Sequence, residues 1–385
     1  MGKNMGESSS EVIENMETFH SKSKISVCMI VKNEEANLRA NLPTLVRLFD
    51  EVVVVDTGST DHTTQVAEEH GTRLYERLWD HDFSMARNFA IAHATGDYIL
   101  ILDADETIED DARVILDKFT QHHPNSLGIT HVISKEATPD GALHEVVSHI
   151  TRFMPNHPSI RYQGIIHEQV VDQSATRGRH STGLTIRHSG YALSKEDMIK
   201  KSLRNLELID RALVSIPSSP QRAYYLYQRG KSLDQLQQYD EALRNYEDAT
   251  KSSSPDQPFF PELTMAYLYD LKRIKDQNRL WPAVNTALKI YPDYSDLYFL
   301  IGISLIQLQV PALDMIRQSF ESCLAVGEQP DKYPTVLGTG SFLAAYNLGA
   351  FFESLKDIEQ AKRYYEMAAE LDYQPARERL QKIDS

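Results

Sequence analysis

"YILILDADETI", residues 98–108, runs an apolar string straight into the carboxylates of Asp103, Asp105 and Glu106. A short run with no polar alternation reads as a strand buried on both faces, the habit of parallel sheets. Two earlier runs have the same form: "ISVCMIV" (25–31), and "EVVVVDTGSTD" (51–61), which stops in turn residues at Asp56. Between them "NEEANLRANLPTLVRLF" (33–49) has helical spacing. "HTTQVAEEHG" (62–71) is a helix stopped by Gly71, "TRLYERLW" (72–79) is strand-like, and "FSMARNFAIAHATG" (83–96) is a helix closed by Gly96. Strands alternating with helices predict a mostly parallel, Rossmann-like α/β sheet, with ligands beyond the carboxyl ends of its strands. Asp56 and the Asp103/Asp105 pair fall at two such ends.

Further along the pattern changes. "LGITHVIS" (127–134), "VVSHITRFM" (146–154), "IRYQGIIHEQV" (160–170) and "TGLTIRHSGY" (182–191) predict a mixed or antiparallel segment. From Ser194 the chain is helical. Gly230, Ala242, Tyr246 and Ala249 recur at identical intervals as Gly349, Ala361, Tyr365 and Ala368, which places small residues where paired helices approach closely. "LWPAVNTALKIYPD" (280–293) and "GISLIQLQVPALDMIRQSFESCLAVG" (302–327) read as two degraded copies. This pattern resembles the tetratricopeptide repeat. The expected organisation is a disordered polar leader over 1–24, the sheet domain over 25–193, a linking helix over 194–220 and an all-α helical repeat domain over 221–385.

The chain has 385 residues, 41% hydrophobic and 25% charged, the balance of a globular protein of two or more domains. A formal net charge of −15 argues against nucleic acid or an anionic membrane as a partner. No run is long enough to span a bilayer and the leader lacks a signal-peptide core, so a cytoplasmic protein is expected. Cys28 and Cys323 lie in apolar segments far apart, which argues against a disulfide framework.

An Asp-x-Asp at a strand end puts two carboxylates on the same side of the backbone, where together they can hold Mg²⁺ or Mn²⁺. A cation there, shared with a substrate phosphate, would explain why charge gathers at the mouth of a buried strand.

The ordered series "VKNEEANL" (31–38), "VVVVDTGSTD" (52–61), "FSMARN" (83–88) and "LILDADE" (100–106) resembles the family 2 glycosyltransferases of the GT-A fold over about residues 25–191. The resemblance implies that Asp56 contacts the nucleotide and that Asp103 and Asp105 face the metal on the donor diphosphate, Asp105 as direct ligand. It also places Arg87 and Asn88 beside the nucleotide. "RYQGIIHEQV" (161–170) is similar to an element that follows the Asp-x-Asp in this branch. It implies Glu168 as the base that deprotonates the acceptor, with His167 as a second catalytic residue that orients it or shares the work. "RHSGY" (187–191) implies His188 as a further metal ligand or diphosphate contact, with Arg187 and Tyr191 within reach of the diphosphate.

The function expected from these features is a metal-dependent inverting transfer of sugar from a UDP-sugar to a peptide or protein acceptor read by the repeats. The repeats could instead form a homodimer. The alternatives are a non-catalytic repeat scaffold with a sugar-nucleotide-binding domain, and a transferase acting on a glycan or lipid-linked acceptor. A sugar-phosphate nucleotidyltransferase would need a Gly-rich loop after the first strand, which "VKNEEANL" does not supply.

Overall fold

A computed structural model describes residues 22–137, 143–188, 195–216, 220–307 and 312–384. Its first part alternates β1 (Ile25–Val31), α1 (Glu35–Leu48), β2 (Glu51–Asp56), α2 (Thr63–Glu69), β3 (Arg73–Glu76), α3 (Phe83–His93) and β4 (Tyr98–Ile101). The four strands lie parallel in the order β3-β2-β1-β4. Alternate side chains of one strand feed two cores: Val52 and Val54 pack on the α1 side, Val53 and Val55 with Ala90 of α3 on the other. Burial on both faces is why these strands show no polar alternation.

After β4 the chain forms β5 (Glu106–Ile108), α4 (Ala112–His122), β6 (Leu127–Ala137), β7 (Leu143–Pro155), β8 (Ile160–Gln163), β9 (Gln169–Asp172) and β10 (Arg179–His188). β7 runs antiparallel to β4 and β6, β10 runs parallel to β6, and β5 closes the edge antiparallel to β10. β8 and β9 form a separate hairpin. The segment read as one strand, 160–170, is therefore two strands joined by a turn in which His167 has φ of 49°. β5 is a strand that hydrophobic patterning does not reveal, because it begins on a charged residue. α3 ends at His93, before the predicted Gly96. Gly96 serves a close approach instead, since a Cβ there would lie 2.7 Å from Ser26 Oγ on β1.

The remainder is α5 (Lys195–Ser215), α6 (Pro220–Gln235), α7 (Tyr239–Lys251), α8 (Phe260–Arg273), α9 (Gln277–Ile290), α10 (Ser295–Ile306), α11 (Leu313–Val326), β11 (Thr335–Val336), α12 (Phe342–Ser354), α13 (Ile358–Glu370) and α14 (Gln374–Asp384). Pairs α6/α7 and α12/α13 pack through the predicted contact: a Cβ on Gly230 would fall 2.3 Å from the Tyr246 ring, and one on Gly349 2.6 Å from that of Tyr365. The same device joins α10 to α11, where Gly302 faces Phe320 at 2.7 Å. In α8/α9 the volumes are shared differently, with Leu268 and Val284 buried at the corresponding positions.

Two contacts dock the repeats on the sheet. Ile166 of the hairpin turn packs with Leu208, Ile209 and Ala212 of α5 and Tyr225 of α6. Further on, β11 adds antiparallel to β7, pairing Thr335 with Val147 and Val336 with Val146. Asp296 of α10 holds that strand by accepting from Thr335 Oγ1, from Thr339 Oγ1 at 2.6 Å and from Val336 N–H at 2.9 Å.

Candidate active site

β2 and β4 flank β1, so their carboxyl ends lie together along one side of the sheet, where the chain switches direction across it. Asp56 ends β2, opposite Val31 of β1. It is buried and closes its own turn, accepting from Gly58 N–H at 2.9 Å, Ser59 N–H at 3.0 Å and the Ser59 hydroxyl. Gly58 takes φ of +104°, which this turn requires.

Asp103 follows β4 and stands between two arginines. Arg87 Nη2 of α3 donates to Oδ1 at 2.8 Å, and Arg152 Nη2 of β7 donates to Oδ2 at 3.0 Å. The same Arg152 nitrogen reaches Glu106 Oε1 at 2.8 Å, and Glu106 Oε2 accepts from the Asp103 N–H. Burial raises the Asp103 carboxyl, but Arg87 and then Arg152 outweigh it and hold Asp103 below the usual carboxylate range. Burial also raises Glu106, and there Arg152 only partly offsets it. Neither Arg152 nor Glu106 was singled out in the sequence. The available signal was an arginine inside an apolar strand, where only a buried acid could balance it.

Arg87 also donates through Nε to Glu168 Oε1, leaving Oε2 without a partner among the described residues. Arg87 Nη1 is buried with no hydrogen-bond partner. Arg87 rather than His167 therefore orients Glu168. The His167 ring turns elsewhere, its Nε2 buried and unpartnered. Burial, together with Lys231, Lys201 and Arg204, pushes His167 down to about 4. Asn88 is committed to the hairpin: its Nδ2 donates to Tyr162 O and its Oδ1 accepts from Tyr162 N–H, each at 2.8 Å.

Asp105 has Oδ2 3.0 Å from His188 Nε2, and its side chain, 30% exposed, is as open to solvent as that of Asp103, at 31%. The hydrogen bond to Asp105 raises the His188 imidazole against the opposing effect of burial. Glu34, from the loop after β1, shares this acidic mouth; burial raises its carboxyl and Asp105, Asp103 and Asp61 add to the effect. Arg187 points away toward Glu109 and Glu145, at 3.9 and 3.8 Å. Tyr191 lies outside the described residues.

Among the described residues no three His, Cys, Asp or Glu side chains gather as a ready metal cage. Asp105 and His188 offer one carboxylate and one imidazole, a donor pair that Mn²⁺ accepts more readily than Mg²⁺, with water and substrate oxygens to complete the shell. A cleft of about 1230 Å³ runs from Asp103, Arg87 and Glu168 to the repeats, walled by Tyr162, Tyr224, Phe259 and Tyr333.

Comparison with known proteins identifies the two kinds of segment. Residues 26–201 match the family model "Glycosyl transferase family 2", and residues 223–256 and 344–375 match the tetratricopeptide repeat. Residues 26–201 are a family 2 glycosyltransferase domain. A TPR repeat-containing protein of Synechococcus elongatus is 33% identical over 261 residues, 64% of this chain and 60% of that protein. The glycosyltransferase SunS of Bacillus subtilis is 24% identical over 226 residues, 57% of this chain and 51% of its own. The chain thus spans 60% and 51% of the length of these two relatives. The crystal structure of Staphylococcus aureus TarS 1-349 in complex with UDP-GlcNAc aligns with 70% of this chain, and with 93% of that chain, at 16% identity and a TM-score of 0.37. The family 2 domain and the helical repeats together account for the fold, and no helix among the described residues is long and apolar enough to cross a membrane.

Proposed function

We propose that the chain is an inverting glycosyltransferase that moves a sugar from a UDP-sugar to a peptide or protein acceptor with the help of Mg²⁺ or Mn²⁺. One observation carries the reading: Asp103 and Glu168 meet on Arg87 at the floor of a cleft that continues onto the repeats. The donor end lies at the strand mouths, with the nucleoside near Asp56 and the diphosphate toward Arg87, whose buried Nη1 is a donor in want of an acceptor. Asp105 and His188 would hold the metal, with Asp103 behind them fixed by its two arginines. When bound, the ion supplies charge stabilisation to the departing diphosphate.

Glu168, aimed by Arg87, takes the proton from the acceptor's hydroxyl, amide or thiol with Oε2. The acceptor atom forms its bond to the anomeric carbon from the face opposite the leaving group, and the nucleoside diphosphate departs with the bonding electron pair. Asn88 positions rather than reacts, tying the Glu168 hairpin to α3 through the backbone of Tyr162.

UDP release from a panel of UDP-sugars with Mn²⁺ or Mg²⁺ tests the proposal. Hydrolysis that disappears with chelator, and falls about a hundredfold or more in Asp105→Ala, is expected. Nucleotide binding with no release, even with candidate peptides present, would overturn it.

A further inference from the structure

The acceptor side of the cleft carries positive charge that the chain itself does not neutralise. Lys201 and Arg204 stand one turn apart on α5 and line the cleft, and Lys231 of the neighbouring α6 acts on the same His167. None of these three cations forms an ion pair among the described residues. Arg204 lies over the Phe83 ring, its Cζ 5.8 Å from the centroid, and Nη2 donates only to the Asn205 side chain at 3.0 Å. His167 Nε2 is buried beside them without a partner. In a chain of net charge −15, the cleft arginines Arg87, Arg152 and Arg177 are paired with acids and Arg179 is spent on Thr151 and the Val170 carbonyl, so a group of cations with no acid is one that an anionic ligand would neutralise.

None of the acids lining the cleft pairs with these cations. Asp103 and Glu168 are held by Arg87, Asp172 is held by Arg177, and Asp256 accepts from the Ser254 hydroxyl. Beyond the cations the walls turn apolar and aromatic, with Tyr224, Phe259, Tyr291 and Tyr333 beside Pro255 and Pro258. Rings and prolines cover the side chains of an extended peptide and offer a small inorganic anion nothing.

We infer that Lys201 and Arg204, backed by Lys231 and His167, form an anion subsite that takes a carboxylate side chain of an acidic peptide acceptor, one flanking the residue presented to Glu168. The inference rests on the glycosyltransferase reading, which makes this cleft the acceptor's path. Arg204 offers a forked donor to a carboxylate, and Lys201 adds a point charge. The subsite fixes the peptide's register along the cleft, and charge makes its capture sensitive to salt.

Calorimetry on the full chain tests this with hexaglutamate, hexaglutamine, inorganic phosphate and UDP with Mn²⁺ as probes. Hexaglutamate should bind and hexaglutamine should not. The double variant Lys201→Gln/Arg204→Gln should lose hexaglutamate affinity at least tenfold while keeping its melting temperature and its UDP affinity. Three results would overturn the inference: equal hexaglutamate affinity in both proteins, UDP affinity falling in step with it, or full displacement of the peptide by equimolar phosphate. UDP release is read separately. Its loss with peptide binding intact sinks the transferase reading alone, and the reverse result sinks this inference alone.

Discussion

Under the cleft of the family 2 domain, Arg87, Arg152 and Glu106 are buried and the half-buried Asp103 joins them, each answering another's charge. At the same depth in the repeats the chain puts tyrosines on glycines, Tyr246 on Gly230 and Tyr365 on Gly349. A buried ion group gains little over apolar residues of equal volume but is costly to leave half-made, whereas ring-on-glycine contacts repay burial directly. The sheet domain therefore holds its site together with interactions that are poor at stabilising and good at positioning. The repeats do the reverse.

The sharpest way to break that contrast is Arg152→Leu. It leaves Asp103 with one partner and Glu106 with none of its side-chain cations, and should cost about 3–5 kcal/mol by urea denaturation. A loss below about 1 kcal/mol, the value of an exposed pair, would refute the contrast.

Second in size is a pH effect in the repeats. Burial pushes the Asp296 carboxyl up to about 6, against the hydrogen bonds it receives from Thr335, Thr339 and Val336. Because the folded value is raised, its contribution is fully present below the ordinary carboxylate range and is lost as pH rises through about 6. The stability of the parent relative to Asp296→Asn should therefore increase as pH falls from 6 toward 4, by at most about 3 kcal/mol. Thermal unfolding of both proteins across that range checks it; a difference independent of pH removes Asp296 as the cause.

Gly230→Ala probes the other side of the comparison. Its new methyl would press on the Tyr246 ring and should cost about 1–3 kcal/mol without changing UDP affinity. Destabilisation accompanied by lost nucleotide binding would show that the two regions are less separate than their packing implies. Smallest of all, Arg47→Ala removes an ion pair with Asp110 in which both side chains are mostly exposed, and should stay within about 0.5 kcal/mol in a denaturation titration.

The parallel strands and the Gly–Tyr repeats were legible because each leaves a periodic trace: unbroken apolar runs in one, fixed intervals in the other. Asp103 and Asp105 were legible as a pair at a strand end, but not as two different things. Asp103 is locked between two arginines, whereas Asp105, equally exposed, meets His188. Their separation depends on Arg152, which arrives from a strand 49 residues away. Glu106 is one carboxylate of a cluster in the sequence and a buried residue in the fold, since β5 is too short for patterning to announce. His167 and Glu168 are adjacent in sequence, yet a positive φ at His167 turns their side chains to different partners. Sequence order records neighbours along the chain and is silent about the direction each side chain takes.

β11 is only two residues long, yet it extends the sheet of the family 2 domain from within the helical array. A truncated chain ending after α5 would bare Val146 and Val147 of β7, lengthening an open edge ready to zip onto another molecule. Separating the two regions for expression would therefore favour aggregates over a folded sheet domain, unless a short segment carrying Thr335 and Val336 were supplied in trans.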